Sequence, residues 1–265
     1  MRNTTLNYLP SPLYVFSDLD GTLGIEGQGI PPRNRIAIQS FVRRGGKFGI
    51  CTGRSPESAV QFLGDIPVSL PSIVCGGCAL YDFSTHHVWN ELFLEESSLG
   101  FAFHALEQFP LATLLAVNRQ GYFQISPQNF LGTYPYCPVE KLERPLYRLI
   151  LSDLPARTPL ITQRMLSLAP PGVRIERTAP DFVEIMSAQA GKWPAMRRLC
   201  AQLGISLAQV VFLGDFYNDI ELLQNIGLGA CVGDAPSSVQ GACTLVLPPC
   251  MQGAIEPLLQ QIQML

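Results

Sequence analysis

The sequence lacks the features that would assign it to several common classes of protein. Its 265 residues contain no run of Lys or Arg, and the formal net charge is -3, so no basic surface for nucleic acid or an anionic membrane is indicated. No stretch approaches the roughly 18 uninterrupted apolar residues of a membrane-spanning helix. The first residues lack the apolar segment of a signal peptide. We therefore expect a cytoplasmic protein, a monomer or weak homodimer, with no nucleic acid or membrane partner.

The composition is that of a compact globule. Hydrophobic residues make up 47% of the chain and charged residues 15%, which is enough to build one large core or two modest ones. The eight cysteines lie mostly alone inside apolar segments, as reduced core cysteines do. We expect no structural disulfides.

Strand-like and helix-like segments alternate at the start of the chain. Strands are predicted at 14–16, 47–51 and 72–75, and helices open at Pro31 and Ser55. Short links between strand, helix and strand predict right-handed crossovers and a parallel sheet. The loops that follow the strands then open on one edge of that sheet.

The pattern changes at about Asp82 and resumes at Gly191. Residues 82–186 contain strand-like and helical stretches whose rhythm suggests a mixed sheet with helices. The parallel pattern then continues with a helix to Leu203 and strands at 209–213, 228–232 and 244–247. We therefore predict an α/β core domain, residues 1–81 and 187–265, with an α+β domain, residues 82–186, inserted into it.

Two acidic residues end the first strand. Asp18 and Asp20 are two positions apart in extended backbone, so their side chains point to the same side. Two carboxylates this close are tolerated when a cation lies with them or one holds a proton. A lone Asp-x-Asp is more often a strand-ending turn with solvated acids, so the interpretation depends on the remainder of the chain.

Three further motifs follow strand ends or helix starts. They are Thr52-Gly53-Arg54, Lys192, and Gly214-Asp215 with Asn218-Asp219. Each alone is ordinary, as a turn, a solvated lysine or a strand-to-loop exit. Four independent strand or helix ends that each supply a suitable polar group predict a shared site at one edge of the sheet.

Taken in this order, the motifs resemble the haloacid dehalogenase superfamily of phosphohydrolases. The large insertion after the third strand is similar to that of its Cof-type branch. The resemblance implies a Rossmann-like core with an inserted cap domain, dependence on Mg²⁺, and hydrolysis of small phosphorylated metabolites such as sugar phosphates or cofactor-precursor phosphates.

The resemblance also implies roles for single residues. Asp18 is expected to attack phosphorus, forming an aspartyl-phosphate, and Asp20 to act as general acid and base. Together with Thr52 and Lys192 these form the expected catalytic set. The expected Mg²⁺ ligands are Asp18, the backbone carbonyl of Asp20, Asp215 and Asp219, where Asp219 could instead hold a metal-bound water or Lys192. The expected phosphate-binding residues are Gly21, Thr52, Gly53, Arg54, Lys192 and Asn218.

Three positions depart from the family pattern. Cys75-Gly76-Gly77-Cys78 stands where Asn-Gly is usual, Trp193 where Gly is usual, and Asp234 where Asn is common. A Cys-x-x-Cys could be a redox or zinc pair, although no second pair exists for a four-sulfur site.

Two other functions stay open on the sequence alone. A phosphotransferase or phosphomutase could use the same fold, and a non-catalytic metabolite-binding protein could derive from such an enzyme. Loss of catalysis would be expected to remove Asp18, Asp20 or Asp215, and all three are present.

Overall fold

The computed structural model describes residues 10–126 and 133–263, and the chain forms two compact units. The core unit comprises Met1–Trp89 and Lys192–Leu265, and the inserted unit comprises Asn90–Gly191. The domain limits expected from the sequence, residues 82 and 186, stay a prediction. Within the described residues, no helix is long and apolar enough to cross a membrane.

Alternating strands and helices open the chain, the inserted unit follows, and the alternation of helices and strands resumes at Lys192. The strands are β1 Tyr14–Ser17, β2 Lys47–Ile50, β3 Ser72–Val74, β4 Ala79–Asp82, β5 His87–Trp89, β6 Thr113–Asn118, β7 Gly121–Gln124, β8 Arg148–Ser152, β9 Val173–Ala179, β10 Phe182–Ser187, β11 Val210–Gly214, β12 Leu228–Cys231 and β13 Leu245–Val246. The helices are α1 Pro32–Arg43, α2 Pro56–Leu63, α3 Ser97–Gln108, α4 Thr158–Leu168, α5 Lys192–Leu203, α6 Ile220–Gln224, α7 Ser237–Ala242, α8 Cys250–Gly253 and α9 Ile255–Gln263.

The core unit is built on a parallel sheet in the order β13-β12-β11-β1-β2, which confirms the predicted α/β class. β1 lies between β11 and β2, and its Ser17 is level with Leu213 of β11 and Ile50 of β2. The strands β1, β11 and β12 are buried on both faces, as their near-continuous apolar runs require. This register brings the carboxyl ends of β1, β2 and β11 together at one edge.

The third predicted strand, β3, lies parallel to the end of β2, where the described residues form the bridge from Cys51 to Ile73. Its other edge pairs antiparallel with β4, which pairs with β5, and this antiparallel pairing was not predicted. The reason is local, since the turn at Cys75–Gly77 reverses the chain and lets the next segment pair directly with β3.

The carboxyl-terminal helices were not predicted. α9 packs beside α1, and Ile255, Leu258 and Leu259 are buried in the core. The buried Asn34 joins the two regions, because its Nδ2 donates to Leu23 O at 2.9 Å and its Oδ1 accepts from Ile255 N at 3.0 Å. Because both the NH₂ group and the oxygen of the Asn34 side chain are hydrogen-bonded, this buried residue fixes the start of α9 against α1.

The inserted unit contains a sheet in the order β7-β6-β8-β10-β9 whose neighbouring strands are all antiparallel. The sequence predicted a mixed sheet with helices, so the prediction of mixed strand directions was wrong. One face carries alternate residues such as Leu114, Leu149 and Ile185, which pack with Ala102 of α3 and Ile161 of α4. Alternate residues share this face because successive side chains along a strand point to opposite sides of the sheet.

Candidate active site

The polar residues predicted from the motifs converge at the carboxyl edge of the parallel sheet. Asp18 directly follows β1, and its amide donates to Leu213 O of β11 at 2.8 Å. Asp215 directly follows β11, and Lys192 is the first residue of α5. The sheet edge thus assembles side chains that are far apart in sequence.

A buried lysine lies between two of the aspartates. Lys192 Nζ is 2.8 Å from Asp18 Oδ2 and 2.7 Å from Asp219 Oδ1. The Lys192 side chain is 2% exposed and that of Asp219 is 0% exposed. Both carboxylates therefore meet a charge-assisted partner out of water, where such bonds are strong.

Asp219 has both carboxylate oxygens engaged. Its Oδ1 accepts from Lys192, and its Oδ2 accepts from the backbone amides of Asp215 at 3.0 Å and Phe216 at 3.1 Å. These bonds tie the loop after β11 to the lysine. Of the three roles expected for Asp219, holding Lys192 is the one that these contacts support.

Asp18 is fixed from both of its oxygens. Its Oδ1 accepts from Leu19 N at 2.7 Å while Oδ2 meets Lys192, and the Ser17 hydroxyl donates to the Asp18 carbonyl at 2.7 Å. The residue is 7% exposed. Its carboxylate is thus held in one orientation at the carboxyl edge of the parallel sheet.

Asp215 is oriented by a residue to which the sequence analysis gave no role. Thr22 Oγ1 donates to Asp215 Oδ1 at 2.7 Å, and Thr22 is buried. Gly21 has φ +75°, and a Cβ placed there would overlap Asp215 Oδ2. The loop after β1 therefore needs glycine at this position to let the carboxylate approach.

The cluster carries an excess of negative charge. One oxygen from each of Asp18, Asp215 and Asp219 lies within 4.8 Å of the others, against the single charge of Lys192. Burial raises the pKa of Asp18 to about 7, against the lowering effect of Lys192. Burial and the neighbouring carboxylates also raise the pKa of Asp215 well above its ordinary value. Although burial works to lower it, the pKa of Lys192 is raised well above its ordinary value by Asp18 and Asp219.

This donor set fits a small divalent cation. Carboxylate oxygens are the ligands that Mg²⁺ prefers, and a cation among them opposes both the burial and the repulsion that raise the pKa values of Asp18 and Asp215. Asn218 Oδ1, on the same loop as Asp215, is buried with no hydrogen-bond partner among the residues that the structure describes, so the loop holds a further oxygen acceptor. The residues present thus suit a small divalent cation beside Asp18 and Asp215.

The carboxylate of Asp20 is placed apart from this cluster. Arg54 forms a bidentate ion pair with it, in which Nε donates to Oδ2 at 2.8 Å and Nη2 donates to Oδ1 at 2.7 Å. The Asp20 side chain is 47% exposed. The predicted metal-binding atom of Asp20 is its backbone carbonyl, which these side-chain contacts do not involve.

Arg54 is itself held from several sides. Its Nη1 donates to Ser58 Oγ at 2.9 Å, Nη2 is 3.3 Å from Glu26 Oε2, and the guanidinium carbon lies 4.4 Å from the centre of the Phe62 ring. In this structure the Arg54 side chain pairs with Asp20, and its predicted contact with phosphate stays a prediction.

The Thr52 loop is braced by the Cys75–Cys78 turn. Thr52 is fully buried, and its Oγ1 accepts from Arg54 N at 3.1 Å. Cys75 N donates to Arg54 O at 2.9 Å, and Gly76 N donates to Thr52 O at 3.0 Å. Gly76 and Gly77 have φ of 66° and 87°, which explains why this turn contains two glycines.

The other two departures from the family pattern have structural explanations. Trp193 packs against the core cluster, with the Arg197 guanidinium 5.9 Å from its ring centre. Asp234 Oδ1 accepts from Cys250 N at 3.1 Å, where an asparagine oxygen would serve as well.

Comparison with known proteins agrees with this geometry. A family model for haloacid dehalogenase-like hydrolases matches residues 15–258. The chain is 23% identical to the Escherichia coli pyridoxal phosphate phosphatase YbhA over 87% of this chain and 91% of that protein. It is 24% identical to the Bacillus subtilis 5-amino-6-(5-phospho-D-ribitylamino)uracil phosphatase YcsE, over 84% of each.

A solved structure shares the fold. The sugar phosphatase BT4131 superposes with a TM-score of 0.80 over 96% of this chain and 100% of that one, at 20% identity. At that identity the likeness shows the fold, and the family follows from the match of the model across most of the sequence. The chain therefore belongs to the haloacid dehalogenase-like hydrolases and is a phosphatase of that family.

Proposed function

We propose that this enzyme is a Mg²⁺-dependent phosphohydrolase that acts on small phosphorylated metabolites through an aspartyl-phosphate on Asp18. The observation that carries the proposal is the Asp18 carboxylate itself. It is buried, bonded to Lys192 at 2.8 Å and to Leu19 N at 2.7 Å, and stands beside Asp215 at the sheet edge. A carboxylate held this firmly is suited to attack in line on a phosphorus atom.

The first half-reaction transfers the phosphoryl group to Asp18. A carboxylate oxygen of Asp18 forms a bond to phosphorus while the bond from phosphorus to the ester oxygen breaks. Lys192 places a compact positive charge beside the attacking oxygen, where it can also hold a phosphate oxygen. Thr52, Gly53 N and Asn218 are proposed to donate the remaining hydrogen bonds to the phosphoryl group.

Asp20 is proposed to move the protons. In its acid form it gives a proton to the departing alkoxide, and as a base it then takes one from the water that attacks the phosphorus of the aspartyl-phosphate. That water releases inorganic phosphate and restores Asp18. The bidentate contact with Arg54 holds the Asp20 side chain close to the loop that contains Thr52.

Mg²⁺ is proposed to be held by Asp18, the Asp20 carbonyl and Asp215, with Asp219 securing Lys192 and the loop amides. Once bound, it would neutralise the charge between an anionic nucleophile and an anionic substrate. The cluster of three carboxylates around one lysine supports this assignment.

The proposed substrates are small phosphate monoesters, either sugar phosphates or phosphorylated cofactor precursors. The support is the range of phosphatases that this chain resembles, whose names specify pyridoxal phosphate, a phosphoribitylamino-uracil and sugar phosphates.

The proposal is tested with Asp18→Asn, assayed for phosphate release from p-nitrophenyl phosphate with Mg²⁺ present. An amide cannot attack phosphorus, so we expect turnover to fall by about 10⁴-fold or more while the circular dichroism spectrum is unchanged. Asp65→Asn is the matched control, because Asp65 is an exposed surface residue paired with Arg35. Turnover retained in Asp18→Asn would exclude Asp18 as the nucleophile.

A further inference from the structure

Two cysteines meet inside the core unit beside the strand that leads to Asp215. Cys231 is the last residue of β12, and Cys243 lies between α7 and β13. Their sulfur atoms are 3.1 Å apart, although the residues are twelve positions apart in sequence. Both carry free thiols, and they are 0% and 8% exposed respectively.

The backbone around the pair is fixed by the parallel sheet. Ala230 is level with Leu245, and Thr244 N donates to Gly229 O at 2.8 Å. These bonds hold the residues next to each cysteine on adjacent strands, and the side chains converge between them. A disulfide has a sulfur–sulfur distance of about 2.05 Å, so the two sulfurs need to approach by only about 1 Å to bond.

We propose that Cys231 and Cys243 are a redox modification site that forms a reversible disulfide on reaction with hydrogen peroxide. The Cys243 sulfur, the more exposed of the two, attacks one peroxide oxygen and breaks the oxygen–oxygen bond, which gives a sulfenic acid and water. The Cys231 sulfur then attacks the sulfenic sulfur and displaces its hydroxyl. That hydroxyl leaves as a second water with the Cys231 thiol proton, and the two electrons from the sulfurs reduce the peroxide.

The disulfide is reversible by ordinary thiol chemistry. A dithiol reductant attacks one sulfur, forms a mixed disulfide and then closes its own ring, which returns both cysteines to thiols. In a compartment that keeps thiols reduced, such a bond would be transient. This proposal depends on the fold alone and goes beyond the proposed phosphatase mechanism.

The cysteine pair lies on the strand next to the one that leads to Asp215. Cys231 is level with Gly214 of β11, and Val232 N donates to Gly214 O at 3.3 Å. Asp215 is the next residue after Gly214. Movement of β12 on closing the disulfide is therefore passed to the strand end that carries a proposed metal ligand.

The test begins from fully reduced protein treated with a small excess of hydrogen peroxide. We expect intact mass spectrometry to show the loss of two hydrogen atoms and a thiol titration of the unfolded chain to find two fewer than the eight thiols. Proteolysis without reductant should release one linked pair of peptides that joins Cys231 to Cys243. Dithiothreitol should restore the original mass.

Variants locate the bond. Cys231→Ser and Cys243→Ser should each abolish the linked peptides, whereas Cys200→Ser on α5 should leave them unchanged. The wild-type peptide map keeps the test valid if a variant does not fold. An unchanged thiol count, a bond between Cys75 and Cys78 in place of this pair, or oxygen added to Cys243 with no linked peptide would each overturn the proposal.

Discussion

Asp219→Asn tests the buried hydrogen bonds that join Lys192 to the loop after β11. In the native structure Asp219 Oδ1 accepts from Lys192, and Oδ2 accepts from the amides of Asp215 and Phe216. An asparagine has one oxygen and one NH₂ group. Whichever way it turns, the NH₂ faces either the ammonium of Lys192 or two N–H groups, so donors oppose donors on one side.

The expected cost follows from burial. Asp219 is 0% exposed and Lys192 2% exposed, so water cannot replace the lost bonds. Removing one partner of a buried ion pair typically destabilises a protein by about 3–5 kcal/mol. The same change lets the lysine and the Asp215 loop move, and loss of such a supporting residue typically lowers activity by about 10–100-fold.

The assay is urea unfolding followed by circular dichroism, together with phosphate release from p-nitrophenyl phosphate. Glu26→Gln is the control, because Glu26 is 83% exposed and its contact with Arg54 is 3.3 Å long. An exposed pair of this kind is worth about 1 kcal/mol or less. If Asp219→Asn unfolds at the same urea concentration as Glu26→Gln, the proposed stabilisation by the buried Asp219 carboxylate, which accepts bonds from Lys192 and two loop amides, is refuted.

Two further predictions concern the metal and pH. Chelation with EDTA should abolish phosphate release and Mg²⁺ should restore it, whereas Ca²⁺ should not, because its larger and looser shell would misplace Asp18; full activity in EDTA would contradict the metal assignment. In EDTA, burial holds the pKa of Asp18 at about 7 against an ordinary value of 3.8, so the folded protein binds more protons than the unfolded chain between these values. Its stability in urea should therefore fall as pH rises through that window, and a slope that is unchanged in Asp18→Asn would show that another group is responsible.

The core strands and the location of the site could be predicted because simple rules determine both. Apolar runs such as 14–16 and 210–213 form buried parallel strands, and parallel strands deliver their following residues to one edge. That edge contains Asp18, Thr52 and Asp215, as the structure shows. Local pattern and sheet topology were sufficient here.

Contacts that depend on loop packing could not be predicted. The bidentate pair of Arg54 with Asp20 and the bond from Thr22 to Asp215 join loops whose relative positions are set by the folded sheet. The antiparallel hairpin after β3 depends on a tight turn at Gly76. α9 was missed although Ile255, Leu258, Leu259 and Ile262 have helical spacing.

The proposed aspartyl-phosphate on Asp18 is tested most directly by trapping it. The enzyme is mixed with substrate and Mg²⁺, quenched rapidly in acid and treated with borohydride, which reduces an acyl phosphate to an alcohol and so converts the modified aspartate to homoserine. Peptide mass spectrometry should find homoserine at position 18 only when substrate is present. Homoserine at Asp20 in place of Asp18, or a fully active enzyme in which position 18 is never modified, would contradict the mechanism.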